Sequence, residues 1–298
     1  MKFIRSIISS FLTLPLAGRV DRSSEAKAVG VGGVAFLTKA PTPLVSLATL
    51  PARGRVRKKA VRAMNAWEHP LIKKGMPVQL EKRRARIAAG ERPLGWKVGL
   101  GAPAAMERLG LKAPVVGYLM QRALVLSGST VSFAGWTKPV AEAEICVRMA
   151  SYLRAGATSE AAIAAIKEIL PAIELADFDP PPTPDNIDVV LAGDIYQRHV
   201  VLCGNTRFGG SVAGLTSRLF RRGQEVSQTT DPEALTGKLG DIVAHVANTL
   251  AAYGEKLSAG DVIITGSITP PIMIDADETE IAHVLDPIGE VSVNFTRE

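Results

Sequence analysis

Two glutamates one residue apart, Glu142 and Glu144, stand in Pro139-Val140-Ala141-Glu142-Ala143-Glu144-Ile145, and Glu174 follows in Pro171-Ala172-Ile173-Glu174-Leu175-Ala176-Asp177. Side chains alternate along a strand, so the first two acids project from one face. Like charges set side by side call for a cation between them. A third acid in an apolar run about thirty residues later could close an all-oxygen site of the kind magnesium or manganese prefers.

A second reactive candidate is Lys97, in Gly95-Trp96-Lys97-Val98-Gly99-Leu100. A lysine inside an apolar strand is costly to bury unless paired. Beside carboxylates its ammonium gains partners, and desolvation can bring it into acid/base range. Gly260-Asp261-Val262-Ile263-Ile264-Thr265-Gly266-Ser267 ends an apolar strand in a polar turn, whose hydroxyls and free N–H groups could hold a carboxylate.

These residues need strands to aim them. Apolar runs predict strands over residues 94–100, 116–119, 131–133, 142–149, 172–176, 199–203 and 262–265, and a hairpin over 217–228 turning at Arg222-Gly223. The last thirty or so residues read as paired strands turning through Asp286-Pro287-Ile288-Gly289. Helices are expected over 56–89, broken near Pro70 and at Gly75-Met76-Pro77, over 104–109, and over 158–170 with Thr158 as cap. Another is expected from Asp231-Pro232-Glu233 to about Lys256, with a possible interruption at Gly237–Gly240. Many short strands without βαβ alternation indicate an α+β fold, an irregular mixed β-roll with a small helical N-terminal region. We expect an extension or linker over residues 1–55, a helical region over 56–93 and a catalytic domain over 94–298.

The 298 residues are 47% hydrophobic and 21% charged, a globular balance. The net charge of +6 gathers between Arg53 and Arg86 without interleaved aromatic residues, so no nucleic-acid partner is expected. A solvated helical face, or one pairing with acids elsewhere in an oligomer, explains it better. Cys146 and Cys203 lie in apolar stretches and read as free thiols of a reducing compartment. No apolar run is long enough to span a membrane. Residues 1–40 open on basic and apolar residues with no acid before Asp21, a leader-like pattern that leaves export or organelle targeting open for a chain otherwise read as cytoplasmic.

Gly95-Trp-Lys-Val-Gly-Leu100, Ala105-Met-Glu-Arg-Leu-Gly110, Gly117-Tyr-Leu119, Glu142-Ala-Glu144, Pro171-Ala-Ile-Glu174 and Gly260-Asp-Val-Ile-Ile-Thr-Gly266, in that order, resemble the 2-keto-4-pentenoate hydratase family of the fumarylacetoacetate hydrolase-like superfamily. The resemblance implies a β-roll of the fumarylacetoacetate hydrolase C-terminal type, a homo-oligomer, and a Mg2+ or Mn2+ ion held by Glu142, Glu144 and Glu174, with Asp177 as fallback third ligand. Lys97 would be the catalytic lysine, and Trp96, Thr265, Gly266 and Ser267 would contact a small-molecule 2-oxo acid substrate.

The implied reaction is hydration of a 2-hydroxy-2,4-dienoate or 2-oxo-alkenoate through a metal-stabilised enolate, with Lys97 shuttling the proton. Decarboxylation of an oxalocrotonate-type diacid is the runner-up. An acylpyruvate C–C hydrolase is less favoured, because His69, His199, His245 and His283 form no hydrolase-like motif before the acids. A non-enzymatic binding protein is disfavoured by the clustered, costly acids. Where family members read Asp-Asn-Ala-Ser this chain has Asp194-Ile195-Tyr196-Gln197, and it lacks an acid in Pro114-Val115-Val116-Gly117.

Overall fold

A computed structural model describes residues 65–298. The expected extension over 1–55, its leader-like start and residues 56–64 of the helical region lie outside the described residues.

Pro70 starts the first helix, where its missing N–H costs no hydrogen bond, and α1 (Pro70–Ala88) then runs through Gly75 and Pro77 without the expected second break. The reason is packing. A Cβ on Gly75 would come within 2.7 Å of the Asp188 carbonyl oxygen and of Leu191 Cβ, so the glycine seats α1 directly on a neighbouring helix. Burial of Ile72, Met76 and Leu80 outweighs the roughly 3 kcal/mol that an internal proline costs.

β1 (Pro93–Gly99), α2 (Pro103–Leu109), β2 (Val115–Met120), β3 (Leu124–Leu126) and β4 (Thr130–Ser132) lead to the long strand β5 (Pro139–Met149). α3 (Ser159–Ala164) separates β5 from β6 (Ile166–Asp177). Thr158 does cap α3, accepting the Ala161 N–H at 3.3 Å, yet the expected helix to residue 170 stops at Ala164. Ile166, Ile169 and Leu170 are instead buried as part of β6, paired along β5.

α4 (Ile187–Ala192), β7 (Gln197–Leu202), β8 (Arg207–Phe208) and the hairpin β9 (Thr216–Arg221)–β10 (Gln224–Thr229) come next. The segment from Asp231 is a turn that Gly237 ends at φ 86°, so the expected long helix begins only as α5 (Leu239–Ala252). Glu233 accepts the Leu239 N–H at 2.8 Å and so satisfies a donor at the start of α5. β11 (Val262–Ser267), β12 (Ile272–Met273), β13 (Glu280–Asp286) and β14 (Gly289–Thr296) complete the chain.

The fold is α+β with two mixed sheets. One has the order β2-β1-β11-β5-β6-β7-β3, with β12 beside β5 and β8 beside β6; the other runs β10-β9-β13-β14-β4. Register in the larger sheet sorts its residues. Cys146 and Ile264 are partners, Ile264 and Lys97 are partners, and Leu170 faces Cys146, so all four share a face with Glu142, Glu144 and Glu174. The apolar residues of that face form a small buried cluster with Leu119, Ala172 and Val200. The opposite face, with Ala143, Ile145, Val147 and Ile173, joins the main core with α5 and the second sheet.

Several basic residues of α1 find partners within the chain. Lys74 pairs with Asp188 at 2.5 Å, Arg84 with Glu255 at 2.9 Å, and Lys82 donates to the Ala192 carbonyl at 2.7 Å. Among the described residues no helix is long and apolar enough to cross a membrane.

Candidate active site

β5 and β6 pair so that Glu142 faces Glu174 directly, while Glu144 faces Ala172 on one side and Ser267 of β11 on the other. One carboxylate oxygen from each of the three glutamates lies within 4.8 Å of the others. Glu144 and Glu174 are fully buried, and Glu142 opens partly onto a cavity of about 410 Å3. Lys97, 1% exposed, forms an ion pair with Glu174 and donates to the Ile195 carbonyl at 3.2 Å. Gly117 on β2 makes room for it: a Cβ there would lie 2.9 Å from both Lys97 Cγ and Asp194 Oδ1.

Burial disfavours charge on all three acids. It pushes Glu142 up to about 7, with Glu174 adding to the rise and Lys97 opposing it. Glu144 is driven well above the carboxylate range by burial and by Glu174 and Glu142, although the Gly266 N–H works against the shift. Glu174 is also raised, because burial outweighs its pairing with Lys97. Burial lowers Lys97, but Glu174 first, and Glu142 and Glu144 after it, more than offset this and hold it as an ammonium.

Three negative charges and one positive leave a formal −2. Glu144 Oε1 and Glu174 Oε2 are buried without a hydrogen-bond partner among the described residues. An unsatisfied buried acceptor costs roughly 1–3 kcal/mol, more when charged. A hard dication with a preference for oxygen would remove both the residual charge and the orphaned acceptors. The donor set fits such an ion.

The turn at the end of β11 serves the carboxylates rather than presenting free donors. A bulge between Ile264 and Ser267 puts Gly266 at φ 94°, from where its N–H donates to Glu144 at 2.6 Å. Thr265 donates to the Ile145 carbonyl and Ser267 to the Thr269 carbonyl, at 2.9 and 2.7 Å. All three residues line the cavity, with their expected carboxylate-binding donors already engaged. Thr269, which lines the cavity at 2% exposure, has a buried hydroxyl without a partner among the described residues.

Trp96, expected at the substrate, and Asp177, the fallback ligand, both lie away from the carboxylate cluster. Trp96, next to Lys97, projects from the other face of β1 and does not line the cavity; its ring lies under the Arg83 guanidinium at 4.3 Å and its Nε1 donates to Asp261 at 3.2 Å. Asp177 is not gathered with the glutamates. It accepts the Lys138 and Thr137 N–H groups at 2.7 and 3.1 Å and pairs with Arg198 at 3.1 Å.

Sequence reasoning noticed Asp194-Ile195-Tyr196 only as a departure from a pattern. Here these three take φ 60°, 51° and 64°, a left-handed run that costs non-glycine residues about 1–2 kcal/mol each. It aims the Ile195 carbonyl at Lys97 and seats Asp194, pushed to about 8 by burial, where it accepts the Tyr118 N–H at 2.9 Å. No local propensity signals such a run, since a β-branched residue at positive φ is held there by its surroundings.

No family model matches the chain. A 2-hydroxyhexa-2,4-dienoate hydratase of Comamonas testosteroni is 28% identical over 225 residues, covering 74% of this chain and 84% of the relative. Further curated relatives, 26–27% identical, are 2-keto-4-pentenoate hydratases. The solved 4-oxalocrotonate decarboxylase from Pseudomonas putida G7, complexed with magnesium and adipate, superposes with a TM-score of 0.67 at 29% identity, covering 74% of this chain and 85% of that one. A fumarylpyruvate hydrolase from Pseudomonas aeruginosa, in complex with Mn2+ and pyruvate, shares the fold at 16% identity, with a TM-score of 0.54 over 70% of this chain and 90% of its own. The resemblance to the 2-keto-4-pentenoate hydratases is borne out, and with it an enzyme of the lyase class.

Proposed function

We propose that this chain, a relative of those hydratases and decarboxylases, is a divalent-metal-dependent hydro-lyase that adds water to a 2-hydroxy-2,4-dienoate or 2-oxo-alkenoate. The observation that carries this reading is the convergence of Glu142, Glu144 and Glu174, with two orphaned oxygens, beside buried Lys97 at a cavity. The three glutamates would hold Mg2+ or Mn2+. When bound, the ion supplies Lewis acidity toward the carboxylate and 2-oxo oxygens of the substrate.

The remaining work falls to the chain itself. Lys97 keeps a proton at Nζ, fixed by Glu174 and the Ile195 carbonyl, to be passed to or from C3 as the double bonds shift. The Gly266 N–H holds Glu144 in one orientation. The two mixed sheets are read as a roll of the fumarylacetoacetate hydrolase C-terminal type. Residues 94–298 would be the catalytic domain of a homo-oligomer, and the free thiols of Cys146 and Cys203 support a cytoplasmic setting.

The 29% identity to the decarboxylase favours a second reading, loss of carbon dioxide from a 2-oxo diacid through the same enolate. Incubation with magnesium and a panel of 2-hydroxy-2,4-dienoates tests the first: their absorbance falls under hydration, and no fall across the panel overturns it. Carbon dioxide released from an oxalocrotonate-type diacid, with no hydration of monoacids, establishes the second.

A further inference from the structure

We propose that Phe178 and Tyr196 form an aromatic wall of the cavity that selects 2-oxo acids with a bulky, uncharged, apolar tail, aryl or long alkyl, over those ending in a second carboxylate. The inference rests on the oxo-acid reading above and names its substrate class.

Size is the first argument. The cavity measures about 410 Å3. A five-carbon oxo acid has eight heavy atoms; at no more than ~30 Å3 each, one water's share of the liquid, it takes up at most about 240 Å3. A tail of several more heavy atoms has room.

The lining is the second. The lining includes Leu100, Phe178, Pro182, Tyr196, Leu235 and Pro271, with Thr236 and Arg108 among its polar members. The Phe178 and Tyr196 rings pack at 5.1 Å and 42°, a tilted pair that leaves faces for a third apolar group. Phe178 lies four residues beyond Glu174, about 13 Å along an extended chain at 3.3 Å per residue, which is the reach of an oxo acid carrying a phenyl or hexyl tail.

The Phe178 backbone is anchored and the Tyr196 ring is held in place. The Phe178 N–H donates to the Lys138 carbonyl at 3.0 Å, the Tyr196 hydroxyl donates to the Pro180 carbonyl at 2.7 Å, and the left-handed backbone fixes the Tyr196 Cα–Cβ direction. A tail carboxylate would find little here. Lys97 is committed to Glu174, and Arg108, on the exposed side of α2, is the one other cation lining the cavity among the described residues. Desolvating a carboxylate against the other walls is costly.

Binding of unreactive head-group carriers tests the wall apart from turnover. The full chain with magnesium is titrated calorimetrically with pyruvate, 2-oxo-4-phenylbutanoate and 2-oxoadipate. The phenyl compound is expected to bind about tenfold or more tighter than 2-oxoadipate. Tyr196→Asn, which tolerates left-handed backbone, and Phe178→Leu should each remove most of that preference while pyruvate still binds; the second variant stands if the first fails to fold. Equal or tighter binding of 2-oxoadipate, lost in Arg108→Ala, overturns the proposal and leaves the oxo-acid reading intact. Binding of pyruvate but of neither longer acid overturns it as well. Failure of all three to bind removes the head-group reading, and the wall's role with it.

Discussion

Glu142 of β5 and Glu174 of β6 are direct register partners, two acids facing each other across adjacent strands with Lys97 paired to only one of them. Like charges in that relationship destabilise a sheet. Glu142→Gln should therefore raise the melting temperature of metal-stripped protein at pH 8 by a few degrees. Added magnesium should stabilise the native chain and stabilise the variant much less. Calorimetry with chelator and with magnesium checks both signs.

Burial of Glu142, with the same repulsion adding to it, sets a pH dependence. Glu142 is raised from the ordinary range to about 7 in the folded chain, so the folded state binds the proton more tightly than the unfolded one. Its stabilising effect is fully present below the unfolded value and is lost as pH rises through about 7. Metal-free protein should lose ~1–3 kcal/mol between pH 5 and pH 8 in denaturant titrations. Magnesium affinity should move the other way, weakening below pH 7 because the proton on Glu142 must leave. A stability that is flat with pH in chelator counts against this.

Lys97→Met leaves Glu174 buried beside two other acids without its cation. Removing one partner of a buried pair costs about 3–5 kcal/mol, and magnesium should recover part of the loss. Turnover should fall about 10²- to 10⁴-fold, the usual worth of a positioned proton donor. Isothermal titration should still detect magnesium and pyruvate. Loss of metal binding together with turnover would instead make Lys97 a support for the carboxylates.

Gly117→Ala places a methyl group 2.9 Å from both Lys97 Cγ and Asp194 Oδ1. Overpacking of this kind costs about 1–3 kcal/mol. Because Lys97 is the neighbour that must move, activity should drop by more than tenfold while magnesium affinity changes little, as steady-state kinetics and calorimetry on one preparation can show.

Part of this was legible in the chain. Alternation along a strand is local, so Glu142-Ala143-Glu144 places two acids on one face whatever surrounds it, and Thr158 caps its helix through its own turn. By the same alternation Trp96 faces away from Lys97, so the substrate contact that the resemblance implied for it is not made. Helix lengths were not legible. Residues 166–170 suit helix and strand alike, and pairing with β5 decided between them.

The sequence by itself determined which groups are available: three carboxylates, a strand lysine, a polar turn with a glycine and the apolar periods that carry them. Only the tertiary structure decided that Glu174 rather than Asp177 meets the other acids, that Asp194-Ile195-Tyr196 turns left-handed, and that Phe178 and Tyr196 close one cavity. The reason is physical. Side-chain direction within a strand follows from bonds a few ångströms long, whereas convergence of residues far apart depends on strand register, which burial of both sheet faces sets for the whole fold at once.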